Sequence, residues 1–180
     1  MTEDEVLDYW FAGDPATHRA VWFEQDADFD AACTRFADAL GDAKSGALEH
    51  WTATPRGTLA LIILLDQFSR NLHRGSSEAF AADAKARQIA RVAVAQGLDL
   101  QFGPVERLFI YLPFGHSEDL ADQDEAVRLF EMLDEEQSDW ARRHRDVIVR
   151  FGRFPHRNAV LRRASTQEEE AYLAEPGAGF

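Results

Sequence analysis

The chain is poor in cysteine and lysine, and it has no long apolar segment. A single cysteine, Cys33, cannot form a disulfide within the chain or supply the four thiolates of a structural zinc site. The longest apolar run, Leu59 to Leu65, is much shorter than the roughly 20 residues that span a bilayer. The first five residues are acidic, whereas a secretion signal begins basic and continues apolar. We therefore expect a cytoplasmic protein outside the membrane, with Cys33 in the core.

Positive charge is scarce overall, and the charges that are present form blocks. The chain carries 19 Lys and Arg against 32 Asp and Glu, a net charge of −13. Nucleic-acid binding needs a broad basic surface, so we expect no nucleic-acid partner. Residues 117–139 contain ten acidic residues and one arginine, whereas residues 140–163 contain eight arginines and one acidic residue. These blocks predict either an acidic and a basic helix paired antiparallel or a local anion-binding surface.

Helix-start signals recur along the whole chain and predict an all-α fold. Thr2 with Glu5, and Thr166 with Glu169, match the capping box, in which a hydroxyl and a carboxylate satisfy free N–H groups of the first turn. No alternating pattern of apolar and polar residues indicates strands. We expect nine or ten helices, packed as antiparallel pairs in a single domain over residues 1–180.

The strongest single helix signal is Thr54-Pro55, a hydroxyl cap followed by proline at the first helical position. Its helix should run to about Leu72. Other starts are predicted at Asp26 or Asp28, Ser45, Ser76 or Ser77, Pro104, Ser117, Ser138 and Pro155. The predicted ends are Phe11, Gly41, Gln96, Leu112 (stopped by Pro113) and Gly152.

The helix that begins at Thr54 becomes polar on one side near its end. At about 100° per residue, the polar residues fall opposite the apolar face. They are Asp66, Gln67, Arg70, Asn71 and Arg74. Two interpretations are open: this end lines a cleft, or the helix emerges into solvent with Asp66 and Arg70 as an i,i+4 ion pair.

The segment from Leu112 to Asp119 contributes two candidates, His116 and Glu118. Helix-end and helix-start signals explain most of the segment. Pro113 is expected to stop one helix, and an acidic residue complements the dipole of the next. His116 has no such structural explanation. We therefore keep both as candidate ligand-binding residues.

The segment from Phe151 to Asn158 places cations where a helix disfavours them. If a helix begins at Pro155, the next two residues put positive charge at its N-terminus, against the helix dipole. Free N–H groups beside Arg and His would bind an anion. This anion is either a ligand carboxylate or phosphate, or the protein's own Asp66 or Glu118. The candidate residues here are Arg153, His156, Arg157 and Asn158.

Familiar catalytic and cofactor motifs are missing from the sequence. The six histidines form no His-Glu-x-x-His pattern, and no glycine-rich phosphate or dinucleotide loop is present. We therefore predict no metal site and no cofactor. His144 remains a candidate proton-transfer group, because histidine titrates near neutral pH.

Three long motifs are specific enough to indicate a family. They are Leu65-Asp-Gln-Phe-Ser-Arg-Asn71, Tyr111-Leu-Pro-Phe-Gly-His-Ser-Glu-Asp-Leu-Ala-Asp-Gln123 and Phe151-Gly-Arg-Phe-Pro-His-Arg-Asn158. They resemble a mainly bacterial family called domain of unknown function 924, over almost the whole chain. The resemblance implies an all-α, tetratricopeptide-like superhelix of antiparallel helix pairs. It implies no activity and no catalytic residue.

Two functions are therefore predicted. The first is a binding module whose Arg, His and Asn residues line a cleft for a peptide or a small anionic ligand. The alternative is a hydrolase of an anionic metabolite, with His116, His144 or His156 as general base. An enzyme would need one enclosed pocket, whereas a peptide binder would use an open groove. The oligomeric state is left open, and we expect no membrane partner.

Overall fold

The computed structural model describes residues 1–179, and within this range the chain is helical and has no strand. The α-helices are α1 (Glu3–Phe11), α2 (Ala27–Cys33), α3 (Ala37–Ser45), α4 (Pro55–Ile63), α5 (Ser69–Leu72), α6 (Asp83–Ala95), α7 (Pro104–Gly115), α8 (Leu120–Phe130), α9 (Glu135–Phe151) and α10 (Gln167–Leu173). Short 3₁₀ turns include Thr34–Phe36, Glu49–Ala53 and Pro155–Arg157, and Leu64–Phe68 is a π-helical turn. The all-α prediction is confirmed. Helix α2 continues directly into α3, and α4 into α5, so the ten α-helices form eight continuous helical segments in this range, slightly fewer than the nine or ten expected.

Two compact units divide the chain. Unit 1 contains residues Met1–Arg74 and Glu78–Pro113, and unit 2 contains Gly75–Ser77 and the residues from Phe114 onward. The single domain over residues 1–180 stays a prediction. No helix in residues 1–179 is both long and apolar enough to cross a membrane.

Both predicted capping boxes are present. The Thr2 hydroxyl accepts a hydrogen bond from the Glu5 N–H at 3.2 Å, and the Glu5 carboxylate accepts one from the Thr2 N–H at 2.7 Å. Thr166 and Glu169 repeat this arrangement at the same two distances. These bonds satisfy N–H groups that have no partner inside a helix, so they fix where α1 and α10 begin.

The Thr54 start is also confirmed, since its hydroxyl accepts from the Gly57 N–H at 3.0 Å. Helical structure then continues to Leu72, as predicted. The π turn inside it was not predicted. Every side chain from Leu59 to Leu65 is fully buried, which explains why this stretch is apolar on all sides.

Several predicted boundaries are wrong. Pro113 does not end its helix: α7 continues to Gly115, because the φ of about −65° that proline fixes is itself helical, although the residue has no N–H to donate to the preceding turn. The caps of α8 and α9 are Asp119 and Asp134, not the serines at 117 and 138. Aspartate caps as well as serine does, so nearby candidates compete.

The end of α3 is also later than predicted. Helix α3 passes through Gly41 and ends at Ser45, and its C-terminal cap is Gly46, whose φ of 93° is a left-handed conformation that glycine adopts without strain. Ser45 therefore closes this helix and does not start the next one.

The core of unit 1 is aromatic. The ring of Trp10 lies 5.2 Å from that of Phe68, 5.4 Å from that of Phe109 and 6.1 Å from that of Trp22, measured between centroids. Cys33 is fully buried, in agreement with its predicted place in the core.

Unit 2 is built on the pairing of α8 with α9. Arg142 of α9 bonds to Glu131 just after α8 at 3.1 Å, and Arg145 bonds to Asp124 at 2.5 Å. The two pairs run in opposite order along the chain, as expected for antiparallel helices. The predicted acidic and basic helices thus face each other with opposite charges.

Candidate functional site

The first polar segment forms a buried ion-pair network in unit 1. Asp66 is fully buried in the π turn, and its Oδ1 lies 3.2 Å from the Arg70 guanidinium. Arg70 also donates two hydrogen bonds to Asp83, at 2.9 and 3.0 Å. Burial lowers the pKa of Arg70, but the carboxylates of Asp66 and Asp83 raise it by a larger amount, so the net shift is upward. Gln67 donates to Asp66 at 2.5 Å. Asp66 and Gln67 are therefore shielded from solvent, Arg70 is mostly so, and the expected i,i+4 pair of Asp66 with Arg70 is present.

The end of the same segment holds a second carboxylate. The Asn71 amide donates to Asp30 at 2.7 Å, and Arg74 donates to the same carboxylate at 2.6 and 2.8 Å. The Arg74 hydrogen bond is the main reason why the pKa of Asp30 lies below its usual value. Both candidates thus tie α2 to the end of α5.

The second and third polar segments meet in unit 2. The Glu118 carboxylate accepts a hydrogen bond from the Phe154 N–H at 2.8 Å and two from Arg163, at 2.7 and 2.9 Å. Burial raises the pKa of Glu118, but Arg163 and the Phe154 N–H lower it by a larger amount, so the pKa lies below its usual value. Of the two internal anions considered for this place, Glu118 is the one that binds there, whereas Asp66 pairs within unit 1.

Two more candidates bind Glu169, at the start of α10. Arg153 donates to both oxygens of this carboxylate, at 2.6 and 2.7 Å, and the Asn158 amide donates at 3.3 Å. Arg153, the Thr166 N–H and Asn158 together lower the pKa of Glu169 to about 2. The capping carboxylate of α10 therefore also anchors the segment that follows α9.

The remaining candidates form what we call the histidine cluster, defined as His116, His144, His156 and Arg157. His144 is buried, and its Nδ1 lies 2.9 Å from the Trp140 carbonyl oxygen. A carbonyl only accepts, so Nδ1 carries the proton and Nε2 is the acceptor. The imidazole packs on the Trp140 ring with centroids 3.6 Å apart.

Arg157 holds the cluster together. Its guanidinium donates to the His116 carbonyl oxygen at 3.0 Å and lies 4.6 Å from the centre of the Phe154 ring. The His156 ring lies 5.5 Å from the same phenyl ring. His116 and His156 are half-buried, whereas Arg157 is buried.

His144 and His156 are held in their neutral form. Burial, more than any other cause, lowers the pKa of His144 to about 3 and that of His156 to about 4. Arg157 lowers both further, and Glu118 opposes it at His156. At neutral pH the imidazoles can therefore donate or accept a hydrogen bond without carrying charge.

Three surface grooves lie elsewhere. One, of about 300 Å³, is lined in unit 2 by α9 and by residues 172–178. Two lie in unit 1, with volumes of about 310 and 550 Å³. None of the twelve candidate residues lines these three grooves. Within residues 1–179, no group of three or more His, Cys, Asp or Glu side chains is arranged to hold a metal ion.

Sequence reasoning missed the partners of the candidates. Asp30, Asp83, Arg163 and Glu169 complete the networks, yet only the last was singled out, as a cap. Asp30 and Asp83 look like ordinary acidic residues in the first turn of a helix. Arg163 was one of eight arginines in the basic block. Arg163 donates a hydrogen bond to Asn158 at 3.0 Å. The two residues are five apart in sequence, and this spacing matches no helix-cap or i,i+4 pattern.

The comparisons with known proteins agree with this all-helical architecture. The model of the family described as bacterial protein of unknown function (DUF924) matches residues 6–177, so the chain belongs to this family. The solved structure of a protein of unknown function, ATU0120 from Agrobacterium tumefaciens, is similar, with 40% sequence identity and a TM-score of 0.89. The match covers 96% of each chain. No curated protein matches the chain.

Proposed function

We propose that unit 2 is a binding module for the anionic group of a small molecule or a peptide, recognised by His116, His156 and Arg157. The observation that carries this proposal is the local charge balance. Arg157 and Arg163 both act on one carboxylate, that of Glu118. His144 and His156 beside them are neutral, so these two arginines and one carboxylate leave an excess of one positive charge.

The side chains of the histidine cluster are suited to binding a small anionic group of a ligand. The Trp140 ring packs against His144 on one side and stacks with Phe130, and the Phe154 ring carries Arg157. These rings are used within the protein, so they offer little area for stacking with a ligand. A carboxylate or phosphate would instead meet a guanidinium and the imidazoles, which form charge-assisted or neutral hydrogen bonds with oxygen.

The hydrolase alternative is less well supported. The orientation of His144 by a carbonyl resembles that of a general base, whose second nitrogen is left to accept a proton. However, a histidine with a pKa of about 3 or 4 is a weak proton acceptor at neutral pH. Binding without chemistry needs no such acceptor.

The test is a titration followed by NMR of the histidine ring protons at neutral pH. The probes are sulfate, a tetrapeptide with a free C-terminal carboxylate, and the same tetrapeptide as its amide. We expect the two anions to shift the His116 and His156 signals, with dissociation constants of about 1 mM, and the amide to leave them unchanged.

Variants locate the site. Arg157→Gln should weaken binding of both anions at least about fivefold, and His156→Gln should weaken it less, because a neutral donor contributes less than a charged one. Arg162→Gln is the matched control, since it removes an exposed arginine from the same segment. Equal binding by Arg157→Gln and wild type, or no shift with either anion, would contradict the proposal. Circular dichroism checks that each variant is folded.

A further inference from the structure

The 310 Å³ groove of unit 1 has the composition of a ligand site. It lies between α6 and the 3₁₀ turn Glu49–Ala53. Its apolar wall is formed by Ile89, Val92, Ala93 and Leu98. Val92 is 49% exposed, so part of this wall is open to solvent. Ligand sites typically combine such apolar walls with a few polar groups, in volumes from about 300 Å³ upward.

One cation lines this groove. Lys85 is one of two lysines in the chain, and its Nζ lies 3.2 Å from Oε1 of Glu49, which also lines the groove. The Glu49 side chain is 69% exposed and that of Lys85 is 27% exposed. Exposed pairs of this kind contribute little to stability, because water and salt screen them. Another carboxylate can therefore replace Glu49 at Lys85 at small cost.

We propose that this groove binds a small aliphatic monocarboxylate, with the carboxylate on Lys85 and the alkyl chain against Ile89, Val92 and Leu98. At about 30 Å³ for each water-sized group, 310 Å³ holds roughly ten non-hydrogen atoms. Hexanoate, which has eight, fits this volume. In the free protein Glu49 occupies the place of the ligand carboxylate. The groove shares no residue with the histidine cluster, because all of its lining residues belong to unit 1.

Hexanoate and hexanol, followed by NMR of the Ile89 and Val92 methyl groups, test the proposal. The two probes share the alkyl chain, and only hexanoate carries the charge. We expect hexanoate to bind with a dissociation constant of about 1 mM and hexanol at least about fivefold more weakly. Equal binding of the two probes would overturn the role of Lys85.

Three variants give effects of different sign. Lys85→Gln should weaken hexanoate binding at least about fivefold, whereas Glu49→Gln should strengthen it about two- to fivefold, because the internal competitor is gone. Lys44→Gln is the matched control. Lys44 has the same 27% side-chain exposure and pairs with Glu78 at 3.7 Å, but it does not line the groove. No methyl shift with hexanoate, or weaker binding by Glu49→Gln, would overturn the proposal.

Discussion

Glu118 and Arg163 form a two-pronged ion pair, with one carboxylate oxygen 2.7 Å and the other 2.9 Å from the two terminal nitrogens of the guanidinium. The same carboxylate accepts the N–H of Phe154. Two segments that are 45 residues apart in sequence are thereby fixed to each other. Glu118 is one of the alternative anions that the sequence left open for this place, and its ion pair lies beside the proposed binding site of unit 2.

Glu118→Gln should lower the free energy of unfolding by about 1–3 kcal/mol at pH 7, because an amide loses the charge that both donors require. The folded protein lowers the pKa of Glu118. Its contribution is therefore present above the unfolded pKa of about 4.3 and is lost as the pH falls through the folded value. Urea unfolding of both proteins at pH 7 and pH 3.5 measures this. A difference between them that is as large at pH 3.5 as at pH 7 would contradict the assignment.

Arg70→Ala should destabilise the protein by about 3–5 kcal/mol, because it leaves the buried Asp66 carboxylate without its cation. Arg74→Ala is the matched control. Its side chain is 41% exposed and its single carboxylate partner, Asp30, lies nearer to solvent than Asp66, so we expect about 1 kcal/mol or less. Urea midpoints and slopes provide both values. Similar losses in the two variants would mean that burial is not the deciding factor.

His144 should make the protein sensitive to mild acid. Its pKa is about 3 in the folded chain and about 6.5 when unfolded, so between these values the unfolded state binds more protons. Stability should therefore fall as the pH drops below about 6.5. His156, with a pKa of about 4, adds to this in the same direction. Urea unfolding of wild type from pH 7.5 to pH 5 measures the decline.

The variant His144→Asn separates the histidine's contribution from general acid effects. The Asn amide can still donate to the Trp140 carbonyl oxygen, but it does not titrate. We expect the variant to lose less stability than wild type between pH 7.5 and pH 5. Parallel pH curves would show that His144 is not responsible.

Two glycines should respond to alanine with opposite sign. A Cβ on Gly41, inside α3, would meet nothing within 4 Å, so alanine should stabilise the protein by about 0.5–1 kcal/mol through helix propensity. A Cβ on Gly57, in the first turn of α4, would lie 2.2 Å from the Trp51 carbonyl oxygen. Alanine there should cost about 3 kcal/mol or more. Thermal midpoints distinguish the two, and effects of equal sign would contradict this local packing.

The sequence predicted those features of the fold that depend on neighbouring residues. Thr2, Thr54 and Thr166 cap helices as expected, because a cap involves only the next three residues. The same reasoning failed where two caps compete, as between Ser117 and Asp119. Ser117 is buried and donates to Asp122 at 2.7 Å, and this tertiary environment is invisible in a local pattern.

The candidate residues were recognised more easily than their roles. Arg70 and Arg153 stood out by their position in polar motifs, but their partners Asp83 and Glu169 are 13 and 16 residues away. A sequence shows that a charge is present, whereas the fold decides which opposite charge it meets. The histidine cluster depends on the same long-range geometry, since His116 and Arg157 are 41 residues apart.

The π turn at Leu64–Phe68 has a consequence for how this stretch tolerates length changes. A π turn closes with hydrogen bonds one residue longer than those of an α-helix, so it is equivalent to one inserted residue. Helices α4 and α5 therefore follow two phases that differ by about 100°. Deleting one residue of the turn would restore a regular α-helix and leave the Arg70 guanidinium facing Asp83, whereas deleting one residue within α4 would rotate α5 by about 100° relative to α4. The pairing of Arg70 with Asp83 should therefore tolerate the loss of one residue in the π turn better than a length change inside α4.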